Sequence, residues 1–500
     1  MKLRLDDIFT SGMVLQHGTR INIFGEGNND ELVTVCIQDK KASAIVKNNR
    51  WIVELSDLKI SEDERLVVST QSELIELNNI LIGDVYFLAG QSNMEFRFED
   101  CETVNKDKKN SQNKYIRYYE VPRIEYEDDT VKIPDLHSEG WQECNEETVL
   151  KFSAIGYYVA DFLQRDTNIP IGLISVNKGG TSASCWMSED YLKQHEEIKE
   201  TYYDDYYDSI ADQTDEQEEL EIAKYRKQLQ EYIQKVELYK SKYPKRTTNQ
   251  LKKDVGHTPW PGPKGKKDFC RPAGLYHTMF EKVSMFSAKA VIWYQGEEDT
   301  KRAHLYYQLL NLLINNWRKD MKSDIPFIIV QLPEYRDDKT DDWPIVREAQ
   351  RLVCEDKDNC FLVVAMNCGE EFNIHPANKK PLAKRIYMRI KEVFYDEDFD
   401  GHSPYIKKVE IASNTVIEFD KELISEKKQE FTVESKGKQI TIVGEITENK
   451  IIFNHNLDGI ISYGFINYCK VGIYGKNGLP ISPFQINILN IVNNNFNIHR

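Results

Sequence analysis

Leu81-Ile-Gly-Asp-Val-Tyr-Phe-Leu-Ala-Gly-Gln-Ser-Asn-Met94 shows what kind of sheet this chain builds. It opens as a short apolar run rich in β-formers, the pattern of a buried strand. The run stops at Gly90, and the polar cluster Gln91-Ser92-Asn93 follows at once. A strand that ends in glycine and delivers a hydroxyl to a sheet edge is one way to expose a nucleophile. The same residues also suit a plain cap, with Ser92 starting a helix near Met94. What the other strands carry decides between the two.

Downstream, strands and helical segments alternate. Ile171–Val176, Ala290–Tyr294, Phe327–Leu332 and Phe361–Met366 are apolar on both faces, as central parallel strands covered by helices should be. Ser153–Arg165 and Leu305–Arg318 are amphipathic and fit the crossovers. This predicts an α/β domain over 81–400 with about five parallel strands and helices on both sides. Upstream, residues 1–80 read as a small β-sandwich-like domain, with alternating runs at Val33–Ile37, Trp51–Leu55 and Leu66–Thr70. Alternation returns after Gly401 and marks a second small β domain over 401–490, followed by an Asn-rich tail, 491–500.

One segment breaks the rhythm. Between about 190 and 262, Ile222, Leu229, Val236 and Tyr243 recur every seven residues with Tyr225, Tyr232 and Tyr239 between them. That is an a/d stripe on a long helix broken by Pro244. It reads as a helical excursion packed on the body or near the site entrance. A homo-oligomer seam through the 220–243 helix is the sharper alternative.

The bulk numbers narrow the partners. A formal charge of −16 argues against nucleic acid or an anionic membrane. Nine cysteines, none in a CxxC pair, fit reduced thiols rather than a disulfide framework or a zinc site. The first residues lack the apolar core of a signal peptide, and no apolar run is long enough to span a membrane. A cytoplasmic protein is expected.

In an open parallel sheet, ligands sit beyond the carboxyl ends of the strands. Those ends carry Gly90-Gln91-Ser92, Asn177-Lys-Gly179-Gly180-Thr181, Trp293-Tyr-Gln295-Gly-Glu297-Glu-Asp299, and, through Asn367-Cys-Gly369, the loop Asn373-Ile-His375-Pro376. A hydroxyl, an N–H pair, an amide and an imidazole together supply a nucleophile, a base and oxyanion donors for acyl transfer.

Gly90-Gln-Ser-Asn-Met94, Gly179-Gly-Thr181 with Trp186-Met-Ser188, Trp293-Tyr-Gln-Gly-Glu297, Arg347-Glu-Ala-Gln350 and Ile374-His-Pro376 resemble the sialate O-acetylesterases, a family of SGNH (GDSL-type) hydrolases. Ser11-Gly-Met-Val-Leu-Gln16 and Gly478-Leu-Pro-Ile-Ser-Pro-Phe484 resemble that family's terminal β domains. The resemblance implies a three-layer α/β/α catalytic domain flanked by small β domains. It implies Ser92 as nucleophile, His375 as base, and the N–H of Ser92, that of Gly179 or Gly180, and the Gln295 amide as the oxyanion hole. The substrate it implies is a small acetylated sugar, O-acetylated sialic acid, cleaved to acetate and a free hydroxyl with no metal or organic cofactor. Acetylated xylan or another polysaccharide is the alternative substrate.

The sequence departs from the family at the third triad position. Relatives carry Asp two residues before the histidine and again where Asn367 stands; here the first is Asn373. An Asn carbonyl can orient an imidazole but brings no charge to stabilise its protonated form. Glu370 or Glu371 is a substitute acid, and a catalytically weak glycan-binding homologue is a further reading. Gln91 and Glu297 are candidates for substrate contact. Arg347 is a candidate for binding a sugar carboxylate, or else pairs with Glu297 or Glu298 beneath the site. Trp186 and Trp260 are candidates for stacking on a sugar ring, or for core and lid roles.

Overall fold

Leu74–Gly90 (β1), 17 residues long, runs from pairing with Ser61–Ser69 into the central sheet without a break. The structure is a computed structural model that describes residues 2–126, 139–244, 246, 248–256, 258–337, 342–425 and 427–488; the Asn-rich tail lies outside them. The first part of β1 is mostly exposed and pairs antiparallel with Ser61–Ser69. From Ile80 every residue is buried, and the strand pairs in parallel with Ile171–Asn177 on one side and Ala290–Tyr294 on the other. The domain boundary read at 80/81 therefore falls inside one strand.

The central sheet holds Asn113–Glu120 (β2), Ile171–Asn177 (β3), β1, Ala290–Tyr294 (β4), Phe327–Val330 (β5) and Cys360–Val363 (β6), side by side in that order and parallel. Gln142–Cys144 adds an antiparallel edge beside β2. The sequence reading counted five parallel strands and missed β2. Its Lys114 and Arg117 break the apolar run, but Arg117 is buried because it pairs with Glu143 on the edge strand. Strand order changes direction at β1, so the crevice beyond its carboxyl end is the place for a ligand in such a sheet.

Helix Ala154–Thr167 (α1) starts where the Ser153 hydroxyl accepts from Gly156 N and ends at Asn168 in the left-handed region. It packs against Lys380–Phe394 (α5), while Tyr306–Asp320 (α3) packs against Trp343–Asp356 (α4). Among the described residues no helix is long and apolar enough to cross a membrane.

The excursion contains a 28-residue helix, Asp215–Lys242 (α2), opened by a capping box between Thr214 and Gln217. Its tyrosine stripe is engaged by the chain's own return. Tyr225 donates to Pro259 O at 3.0 Å, Tyr232 to Gly256 O at 3.1 Å and Tyr239 to Asp254 at 2.6 Å. The three tyrosines of the stripe thus bond to Asp254, Gly256 and Pro259 of this same chain.

The N-terminal residues form a three-stranded sheet and further strands that continue the central sheet through β1, all sharing one core. The C-terminal residues form a seven-stranded antiparallel sheet around a separate core, which Val364 and Met366 enter from the loop after β6. That loop is tied down at several points. Asn367, left-handed at φ 68°, donates to Val471 O and Tyr474 Oη and accepts from Val471 N. The buried Glu334 carboxylate takes Asn367 N at 2.8 Å and pairs with Lys470, which also donates to Gly369 O.

Candidate active site

Gly90 has φ +130°, and a Cβ there would stand 2.1 Å from Tyr294 O. Only glycine permits both the turn and the close approach to β4. The turn sends Ser92 out of the sheet as the first residue of the short helix Ser92–Glu95. Its hydroxyl lies 2.7 Å from His375 Nε2, across 283 positions of sequence. With the ring proton on Nδ1, Nε2 accepts from Ser92, the geometry a nucleophile and its base require.

Asn373 is 6% exposed, and its amide grips the main chain of His375 rather than the ring. Oδ1 accepts from His375 N at 3.2 Å, and Nδ2 donates to His375 O at 2.8 Å and to Glu370 at 3.3 Å. The expected contact of Asn373 with Nδ1 is not made. Glu371 is committed to the Arg336 guanidinium through two nitrogens, at 2.8 and 2.6 Å, which removes it as the substitute acid. Glu370 is the carboxylate turned into the histidine loop, where it also accepts from Ala377 N at 3.3 Å.

The expected oxyanion donors divide. Gln295 is fully buried, and its amide hydrogens go to Thr181 O at 3.0 Å and Asp299 at 2.6 Å while its oxygen accepts from Tyr306. It is a strut between strand ends, with no hydrogen left to donate. Gly179 N donates to Glu95 Oε2 at 2.5 Å, and Glu95 is in turn paired with Arg123. Gly180, at φ +72°, keeps an N–H with no acceptor among the described residues. The Gln91 oxygen accepts from Gly296 N at 3.3 Å and Glu298 N at 3.4 Å. Its Nε2 has no acceptor among the described residues, so Gln91 presents a free donor next to the nucleophile.

Behind Ser92 lies a buried polar knot that the sequence reading did not assemble. Asn93 Nδ2 donates to Glu297 Oε1 at 2.6 Å and to Ile374 O at 3.0 Å, and Asn93 Oδ1 accepts from Lys379 at 2.5 Å. Burial pushes the Glu297 carboxyl up to about 7 and the Lys379 ammonium down to about 8. Glu297 is thus tied to the nucleophile's loop from below; it is 7% exposed. Asn93 stands within the Gly90–Met94 motif and Lys379 three residues beyond Pro376, but nothing in a motif says which distant residue one of its parts touches.

Two further expectations are corrected. Arg347 is fully buried, and its guanidinium donates to Pro333 O, Asn467 O and Ile466 O. It pins a loop of the C-terminal domain to α4; it meets neither Glu297 nor Glu298 and has no opening to a substrate carboxylate. Trp186 is fully buried with its indole N–H on Thr181 Oγ1 at 2.9 Å, a core residue and not a stacking surface. Trp260, by contrast, is 42% exposed and lies over Gly180.

Comparison with known proteins finds likeness to carbohydrate esterases. Residues 262–383, which include Gln295, Arg347 and His375, match the family described as carbohydrate esterase, sialic acid-specific acetylesterase. The sialate O-acetylesterase of Rattus norvegicus is 24% identical over 465 residues, covering 84% of this chain and 80% of its own. That of Homo sapiens is 23% identical over 431 residues, covering 78% and 71%. The crystal structure of a carbohydrate acetylesterase from Xanthomonas citri superposes with a TM-score of 0.75 at 19% identity over 97% of this chain and all of that one, a likeness of fold. The chain therefore resembles the sialate O-acetylesterases over most of its length and carries a segment matching the sialic acid-specific acetylesterases among the carbohydrate esterases.

Proposed function

We propose that this chain is a carbohydrate O-acetylesterase that removes the O-acetyl group of sialic acid through Ser92. The observation that carries the reading is the 2.7 Å contact between Ser92 Oγ and His375 Nε2 beyond the carboxyl end of β1. The family likeness supports the substrate class. In this reading the fold is a three-layer SGNH-type domain between two β domains, supported by the helix pairs α1–α5 and α3–α4 on the parallel sheet.

His375 takes the Ser92 proton as Oγ attacks the acetyl carbonyl. The carbonyl oxygen gains its negative charge facing the N–H groups of Ser92 and Gly180 and the Gln91 amide, the donors left unclaimed around it. Collapse breaks the bond to the sugar oxygen, and His375 returns the proton to that oxygen. Water then repeats the sequence on the acetyl-enzyme and frees acetate. With Arg347 held in the core, the cation adjoining the glycine pair is Lys178, loosely paired at 3.6 Å with Glu125, and we assign it the carboxylate of the sugar acid.

Acetate release from O-acetylated sialic acid tests the proposal. Ser92→Ala is expected to lower kcat by at least ~10³-fold, and an unchanged rate ends it. Parallel assay on acetylated xylan separates the sugar from the polysaccharide substrate. A second reading, a catalytically weak glycan binder, is favoured by the neutral Asn373 at the third triad position, whose amide holds the main chain of His375. Asn373→Asp raising turnover from almost nothing by orders of magnitude would select it.

A further inference from the structure

The helical excursion ends beside the Gly179-Gly180 turn, and its last aromatic residue packs on that turn. The Trp260 indole packs on Gly180 so closely that a Cβ at that glycine would fall 2.4 Å from the ring. Gly179, the other half of the turn, packs on the nucleophile, its Cβ position 3.2 Å from Ser92 Cβ. Ring and hydroxyl thus border the same two-residue turn.

The ring is held from several directions. Phe269 lies with its centroid 5.8 Å away, its plane tilted 41° to the indole. The backbone carrying it is fastened to α2, where Tyr225 donates to Pro259 O and packs its ring against Gly262. Yet the side chain stays 42% exposed. A large apolar ring fixed by its neighbours and still open to water has already lost its rotamer freedom, so stacking against it costs little further ordering. The apolar C–H face of a pyranose is the part of a sugar that gains from leaving water onto such a surface, with its hydroxyl rim still solvated.

We infer that Trp260 is the platform on which the sugar ring of the acetylated substrate stacks. The excursion over 190–262, and not the parallel sheet, then sets which acetyl ester is accepted. This rests on the esterase reading, and the experiment keeps the two apart.

The kcat/KM for O-acetylated sialic acid is measured against that for p-nitrophenyl acetate, whose acyl group reaches Ser92 without a sugar, in the parent, Trp260→Ala and Trp260→Phe. The ratio of the two values is expected to fall by about tenfold in Trp260→Ala and to recover most of that loss in Trp260→Phe. An unchanged ratio, or an equal loss on both esters, overturns the inference; the second result would mean that Trp260 only props the Gly180 turn. A binding arm uses full-length Ser92→Ala protein titrated calorimetrically with O-acetylated sialic acid. Adding Trp260→Ala is expected to raise Kd by about tenfold, and no change in Kd again overturns the platform. Should the parent show no Ser92-dependent hydrolysis, the esterase reading fails while the binding arm still decides the platform.

Discussion

Lys379 Nζ donates to Asn93 Oδ1 at 2.5 Å, joining the loop that carries the base to the loop that carries the nucleophile. Asn93 closes the same link by donating to Ile374 O, the residue before His375. The separation of Ser92 and His375 is therefore set by a buried bond one residue from the first and four from the second. Lys379→Met is expected to lower kcat by about 10-fold to 100-fold with little change in KM, because the reacting groups lose alignment while the sugar contacts remain. A rise in KM at constant kcat would show instead that Lys379 reads the substrate.

The Glu297 carboxyl, pushed up to about 7 by burial, makes stability pH-dependent. Its folded value lies above its ordinary one near 4.5, so the folded state holds the extra proton between the two. Stability from this group is fully present below pH ~4.5 and is lost as pH rises through ~7. Glu297→Gln is expected to flatten the fall in Tm between about pH 5 and pH 7 relative to the parent, as read by thermal melts across that range. An identical slope in the two proteins would remove Glu297 as the source.

Gln91 and Gln295 differ in what their amides leave free: both Gln295 hydrogens are taken, while Gln91 Nε2 has no acceptor among the described residues. Gln91→Glu keeps the oxygen that receives Gly296 N and Glu298 N but removes the free amide donor. It is expected to lower kcat by roughly 10²-fold to 10³-fold, the cost of one oxyanion donor, at nearly constant Tm. Gln295→Leu should instead lower Tm, because it strands Thr181 O and the Asp299 carboxylate in the interior. Equal Tm losses in both would return Gln91 to a structural part.

Arg347→Met leaves the carbonyls of Pro333, Ile466 and Asn467 without their donor in a buried place. Unfolding by urea should show a loss of about 1–3 kcal/mol, while the ratio of KM values for acidic and neutral acetylated sugars stays at the parental figure. A selective rise in KM for the acidic sugar would restore Arg347 as a substrate contact.

These outcomes also mark how far the chain could be read from residues alone. Periodicity located the central strands and the crossovers, because burial on both faces of β1, β3, β4 and β5 leaves a continuous apolar run. It passed over β2, where a charged residue is buried with its partner on another strand. Motif chemistry brought out Ser92 and His375, since a hydroxyl and an imidazole have few uses at strand ends. It misassigned Gln295 and Arg347 and left Trp186 open between sugar stacking and the core; such side chains have equal use as struts, and only their hydrogen-bond partners distinguish the two. The partnership of Asn93 with Lys379 was invisible because it depends on where two distant loops meet.

The seventeen residues of β1 behave as a lever arm with the nucleophile at its tip and its root clamped in the amino-terminal sheet. The base follows a loop whose Asn367 and Gly369 are moored to Lys470, Val471 and Tyr474 near the far end of the sequence. Neither terminal domain is then a detachable ornament. Amputating either one would unmoor one half of the dyad while leaving every reactive atom present, and the hydroxyl and imidazole would drift apart.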